Sequence, residues 1–406
     1  MATAPTQPAK DAPSFADVSH EEAVRRAREM VPTLRERANA AEEARIILPE
    51  TLAELHASGV LRALQPRRWG GMGLPFDACF DIAYELGRGC ASTSWAGVNL
   101  LIHHWMLGLW PEEGQQDVWG SDPEALIASA VNTAQGKAYA VDGGYRVTGR
   151  WNYSSGVNVS NWNMLGVTVQ DGPDKGMAGL IVIPKSEYTI IDDWKVLGMC
   201  STGSMSVEVD DVFVPHHRLL NALDLRGGDS APGTKTNPEP LFKVAMSGFS
   251  GHIIASTLCG NAQAALEIVS DTASKKVIPQ TGARQRDSQA VQLRISAAGA
   301  RVDAARKLVR GDMAEAQAYA ERGEVPDLER KLRAKRDVSY AVSLCTEAID
   351  ILGALGGSQA IYNGNPLQRI VRDNRSGATH IQFNEDMNFS NWGLVALGGE
   401  VSSPYL

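Results

Sequence analysis

The chain has 406 residues, with 47 acidic against 39 basic side chains and a formal net charge of -8. One hydrophobic core stops growing well below this length, so two or three packed units are expected, and the interspersed charges argue against nucleic acid or an anionic membrane as partner. Cys79, Cys90, Cys200, Cys259 and Cys345 are scattered without a Cys-x-x-Cys spacing, which argues against a disulfide framework or a zinc site and suits a cytoplasmic protein.

The first residues, Met1 to Ser14, are polar and rich in Ala and Pro, with no apolar stretch of signal-peptide type, so residues 1–17 read as a disordered lead-in. No run of about 18 uninterrupted apolar residues follows. Residues 18–129 have a helical texture. Ser19-x-x-Glu22 forms a capping box ahead of Ala23, Ala27, Met30, Val31, Leu34 and Ala38, whose spacing predicts one amphipathic helix. Pro49 suits the first turn of a second helix that breaks at Ser58-Gly59, and further helices are expected over Phe76 to Gly87 and Trp95 to Leu109.

Residues 130–235 change to a period of two. Tyr139-Ala140-Val141 and Tyr145 to Thr148 flank Asp142-Gly143-Gly144 as a hairpin, and strands fit Met164 to Val169, Gly179 to Ile183, Thr189 to Ile191 and Met205 to Val209. Asp224 to Pro240 reads as a loop or boundary. Residues 236–406 return to helices, over Phe242 to Ala273, Asp287 to Arg322, Pro326 to Leu352 and His380 to Leu397, spaced for an antiparallel four-helix bundle. The fold class is therefore mainly α with a central β domain.

Local motifs make this order of domains specific. Pro66-Arg67-Arg68-Trp69-Gly70-Gly71-Met72-Gly73, the block Trp194 to Ser204 followed by Val212-Phe213-Val214-Pro215, and Gly356-Gly357-Ser358 with Arg369, Arg372-Asp373 and His380 together resemble the acyl-CoA dehydrogenase superfamily from about residue 20 to 400. Where several of those dehydrogenases carry their catalytic glutamate, this chain has Ile381, preceded by His380. Four further motifs resemble one branch, the oxygenase components of two-component flavin-dependent monooxygenases such as 4-hydroxyphenylacetate and secosteroid phenol hydroxylases. They are Ala91-Ser92-Thr93-Ser94-Trp95, His103-His104-Trp105, Trp151-Asn152-Tyr153-Ser154-Ser155-Gly156, and Arg372-Asp373 with His380. The segment Gly198 to Ser204 lacks the arginine usual in that loop.

The resemblance implies reduced FMN, or FAD, and O2 as cosubstrates, a flavin hydroperoxide, and hydroxylation of a phenol or indole. It also implies a separate NAD(P)H:flavin reductase and a homo-oligomer, most simply a tetramer. Within it, Ser155 would meet flavin N5, with Ser154 as the alternative, and Trp151 would be a wall for the ring or a core residue. Thr202 and Ser204 would lie at the flavin, Lys276 at its phosphate, and Gly357 and Ser358 in a loop reaching a neighbouring subunit's flavin. Trp95, His103, Trp105 and His380 would line the substrate pocket, with His380 as acid/base and His103, or His104 by a one-residue slip, bonded to a phenolate. No metal site is expected, because adjacent histidines on a helix diverge by about 100 degrees.

The chain has no Gly-x-Gly-x-x-Gly after a strand, so no domain to reduce its own flavin with NADH is expected, and no Gly-x-Ser-x-Gly, Walker or His-Glu-x-x-His motif. Three other readings stay open. One is a true acyl-CoA dehydrogenase or oxidase with Glu385 or Asp386 as base, another an N- or S-oxygenating monooxygenase, and the third a non-catalytic flavin carrier.

Overall fold

The computed structural model describes residues 13–278 and 281–401. Most of the expected lead-in therefore lies outside the described residues, but its end is docked: Phe15 is buried and its N–H bonds Gly70 O at 2.8 Å, while Pro13 O accepts from Arg62 Nη1. Residues 13–17 thus depart from the expected disorder, because a buried aromatic and two backbone partners hold them.

The predicted first helix is two, α1 (His20–Glu29) and α2 (Val31–Ala44), with the break at Met30 just before Pro32 in the first turn of α2. Proline has no N–H for an intrahelical bond, so it starts a helix more readily than it continues one. Ser19 caps α1 by accepting from Glu22 N, and Pro49 opens α3 (Pro49–Ser58), which ends at the left-handed Gly59. Then come α4 (Asp77–Gly89), α5 (Ala91–Leu107) and α6 (Glu112–Trp119).

The β domain comprises β1 (Ile127–Ala130), β2 (Gly136–Val141), β3 (Gly144–Ser154), β4 (Trp162–Val169), β5 (Ala178–Pro184), β6 (Thr189–Ile191), β7 (Met205–Pro215) and β8 (Leu219–Asn221). Its strands run in the order β6-β7-β3-β2-β4-β5-β8, with β1 added parallel to β4. The predicted hairpin is present, Val141 pairing with Gly144 around Asp142-Gly143. The register of β3 against β7 shifts between Trp151 and Ser154, where Tyr153 has a left-handed φ of 69°. This bulge delivers the Ser154-Ser155-Gly156 turn to the edge of the sheet.

The bundle holds α7 (Ser250–Lys275), α8 (Gln289–Glu321) and α9 (Leu328–Gly356), packed with α10 (Pro366–Gly377) and α11 (Glu385–Ala396). Residues 242–249 are not α-helical, so the first bundle helix begins later than predicted; α10, opened by Asn365 accepting from Leu367 N, was not predicted at all. Helices α7 and α9 are apolar and long enough to cross a membrane, yet α7 is largely enclosed by α4, α5, α8 and α9. Bundle and N-terminal helices share one continuous core, and the sheet has its own, including Trp151, Val167 and Ile183. The β domain is seated against both.

Candidate active site

Helix α5 is the common wall of the site. Its buried Trp95 and His103 and its half-buried Asn99 recur at four-residue steps and so share a face, whereas Trp105 is about 200 degrees from His103. Trp105 accordingly points into the helical core, with its N–H on Leu241 O at 3.0 Å and its ring against Phe76. This corrects its placement in the substrate pocket.

At one end of the α5 face His103 is buried, Nδ1 lying 2.7 Å from Ile127 O and Nε2 2.8 Å from Ser129 Oγ. A carbonyl only accepts, so Nδ1 carries the proton and Nε2 receives the Ser129 hydroxyl hydrogen. Burial lowers the His103 pKa to about 4, so the ring is neutral. Ser129, half-buried on β1, has no motif to mark it in the sequence; only the pairing of β1 with β4 brings it to His103. The neighbouring His104 stacks on Trp119 in the core with neither nitrogen bonded.

At the other end, the His380 ring meets Trp95 edge-on at 5.9 Å and Phe383 at 5.8 Å. Its Nδ1 accepts from Gln382 N at 3.3 Å, so the neutral ring carries its proton on Nε2, which has no bond partner among the described residues. The residue has an exposed edge, yet crowding by protein on its other sides desolvates the ring and lowers its pKa to about 4. The two histidines therefore present opposite tautomers: Nε2 is an acceptor in His103 and a donor in His380.

Between them lies the turn after β3. Ser154 is buried and bonded to Asn163 at 3.0 and 3.2 Å, so it serves the sheet. Ser155 Oγ is 2.8 Å from Ser204 Oγ, which is 2.7 Å from Thr202 Oγ1, and Thr202 donates to Met199 O at 2.8 Å. Gly156 approaches α5 so closely that a Cβ would lie 3.1 Å from Leu100 Cδ2. Trp151 has no accessible surface and donates to Gly166 O at 2.7 Å, which makes it a core residue and not a wall for a ring.

The loop carrying Met199 is fastened to α10. Asp373, 3% exposed, accepts from Met199 N at 2.6 Å, and Arg372 donates to Leu197 O and pairs with Glu42, both at 2.6 Å. Arg372 and Asp373 therefore clamp the β domain to the bundle, and Arg372 also ties α10 to α2. A cavity of about 210 Å³ lined by Arg35, Cys90, Asn261 and Arg369 lies behind Asp373 and includes neither site histidine. His20, Asp77 and Asp81 offer three ligand atoms on the surface, but Arg310 already occupies Asp81 at 2.9 Å.

Lys276 is exposed past the end of α7, and Gly357 and Ser358 are exposed in the turn after α9. None of the three hydrogen-bonds to the groups above within one chain.

Residues 18–121 match the acyl-CoA dehydrogenase N-terminal domain, and residues 252–385 match the C-terminal domain of that family. The chain is 33% identical over 371 residues to the oxygenase subunit HsaA, a flavin-dependent monooxygenase of Rhodococcus jostii, covering 91% of this chain and 96% of the relative. The chain belongs to the acyl-CoA dehydrogenase-fold flavin-dependent monooxygenases. The FADH(2)-dependent resorcinol hydroxylase oxygenase component of a Rhizobium strain is 32% identical over 100% of this chain and 99% of its own. The crystal structure of the 3-HSA hydroxylase of a Rhodococcus strain superposes with a TM-score of 0.91, at 32% identity, over 96% of this chain and 100% of its own.

A monooxygenase of this family needs a place for a flavin, and the polar groups around the loop fit one. Asn158 Nδ2 and Ser92 Oγ are buried without partners, the former 3.0 Å from where a Cβ on Gly203 would sit and the latter in the first turn of α5. Ser155 and His380 keep hydrogen-bonding capacity that the chain does not use.

Proposed function

We propose that this protein is the oxygenase component of a two-component system that hydroxylates a small phenolic compound, taking reduced FMN or FAD from a separate NAD(P)H:flavin reductase. The observation that carries the reading is the His103–Ser129 pair on the α5 wall, an acceptor and a hydroxyl arranged to receive a phenol O–H. Bound reduced flavin would activate O2 and supply the oxygen atom. A phenol suits the pair, because Ser129 Oγ can accept the phenolic hydrogen while donating its own to His103 Nε2. The two bonds polarise the phenolic O–H and enrich the ring carbons in electrons while His103 stays neutral.

His380 has a different part from the acid/base one first assigned. With Nδ1 engaged by Gln382 N, its Nε2–H is left as a donor for the substrate or flavin. Ser155 would hold the flavin N5 hydrogen, and the rings of Trp95 and Phe383 would fix the orientation of His380. Lys276 would face the flavin phosphate.

A tetramer in which the Gly357-Ser358 turn reaches a neighbour is supported by exposed Ile361 and Tyr362 beside that turn, and by exposed Met387, Phe389 and Leu394 on α11. Five buried, unbridged cysteines suit the cytoplasm, where a reductase would supply the flavin.

The test is to mix the protein with anaerobically reduced FMN or FAD, add O2 and a panel of phenols and indoles, and quantify hydroxylated product and hydrogen peroxide. Phenol hydroxylation with little peroxide supports the reading. Peroxide alone with every compound, or bleaching of bound FAD by an acyl-CoA, refutes it.

A further inference from the structure

The three hydroxyls behind the turn form a chain whose direction is determined. Thr202 Oγ1 lies 2.8 Å from Met199 O, and a carbonyl can only accept, so the one hydroxyl hydrogen of Thr202 is spent there. The 2.7 Å contact between Thr202 and Ser204 must then use the Ser204 hydrogen, and the 2.8 Å contact between Ser204 and Ser155 must use that of Ser155. Ser155 Oγ is left with lone pairs and no hydrogen to offer outward. The end of the chain is fixed, because Met199 O also receives Trp194 Nε1 at 3.1 Å and Met199 N is held by Asp373 at 2.6 Å.

We infer that Thr202 and Ser204 are positioning residues that point the Ser155 hydrogen away from the flavin and so make the site select the reduced cofactor. Reduced flavin has a hydrogen on N5 and needs an acceptor. Oxidised flavin has a lone pair there and needs a donor, which Ser155 can become only by giving up its bond to Ser204. The inference rests on the proposal that Ser155 meets N5.

The experiment is the ratio of dissociation constants for oxidised and reduced FMN, measured anaerobically without turnover, in wild type, Ser155→Ala, Thr202→Val, Thr202→Ser and Ser204→Ala. One hydrogen bond at this site corresponds to a preference of roughly three- to tenfold. Thr202→Val and Ser204→Ala are each expected to narrow the ratio by about that factor, since the Ser155 hydrogen is then free to turn outward. Thr202→Ser keeps a hydroxyl and retains the ratio. A lesion that merely loosens the loop weakens both redox states together and leaves the ratio alone. If Ser155→Ala narrows the ratio while Thr202→Val and Ser204→Ala do not, the directional chain is overturned. If Ser155→Ala leaves the ratio unchanged, the placement of Ser155 at N5 has failed instead. Should Thr202→Val not fold, Ser204→Ala decides alone.

Discussion

Asp373→Asn changes one atom in a buried acid and predicts a large, pH-dependent gain in stability. Asp373 is 3% exposed, and desolvation by burial raises its pKa from 3.8 to about 6, against the opposing pull of its bond from Met199 N and of Arg369. The folded state therefore holds this proton more tightly than the unfolded chain does. Between pH 4 and pH 6 the unfolded state binds fewer protons, so the contribution of this group to stability falls as pH rises and then stays low. The shift corresponds to about 3 kcal/mol. Asparagine stays neutral, and its side-chain oxygen can still accept from Met199 N. Urea unfolding of both proteins from pH 4 to pH 7.5 should show the difference in unfolding free energy moving in favour of asparagine by about 3 kcal/mol, most of it below pH 6.5. A difference that stays constant over this range, or moves the other way, would refute the argument that burial dominates at Asp373.

The two histidines should separate in their effects. Because each is neutral from about pH 4 upward, the yield of product per O2 consumed should show no inflection from either between pH 5.5 and 8; an inflection near pH 6.5 that vanishes in His380→Gln would contradict the desolvated ring. Ser129→Ala leaves His103 Nε2 without its hydrogen-bond donor and should weaken phenol binding about five- to tenfold while flavin affinity is unchanged, as read by equilibrium binding. Gly198→Ala would set a Cβ 2.3 Å from Arg372 O, a backbone atom that cannot swing aside, so a loss of roughly 2 kcal/mol or more and weakened flavin binding are expected; a melting temperature equal to wild type would show that the loop is free to shift.

Elements with local signals were legible in the chain. Ser19, Pro49 and Asp142-Gly143 specify a cap, a first turn and a hairpin through their own backbone chemistry, and all three are present. Part of the candidate site was legible as segments, since Trp95 and His103 share a face of α5, Trp95 meets His380 edge-on, and the Ser155-Gly156 turn packs against Leu100 of α5. Direction was harder to read. Trp105 and Trp151 carry the right chemistry for a pocket, but helix phase turns the first inward and the sheet core encloses the second. A helical-wheel comparison of positions 95, 103 and 105 would have caught the former. Ser129 and the role of Asp373 depend on contacts between segments distant in sequence, which no local pattern encodes.

The fastening of the Leu197–Met199 loop bears on how a diffusing cofactor reaches its place. Opening a cleft between sheet and bundle would break the Asp373–Met199 and Arg372–Leu197 bonds at once. Hydrogen bonds to charged groups contribute about 1.5–3 kcal/mol each, so such a hinge is expensive. The frame around the proposed flavin seat is thus more like a doorway than a pair of jaws: traffic would pass between fixed posts, and the shape of the opening, not the swing of a domain, would set what enters and how fast it leaves.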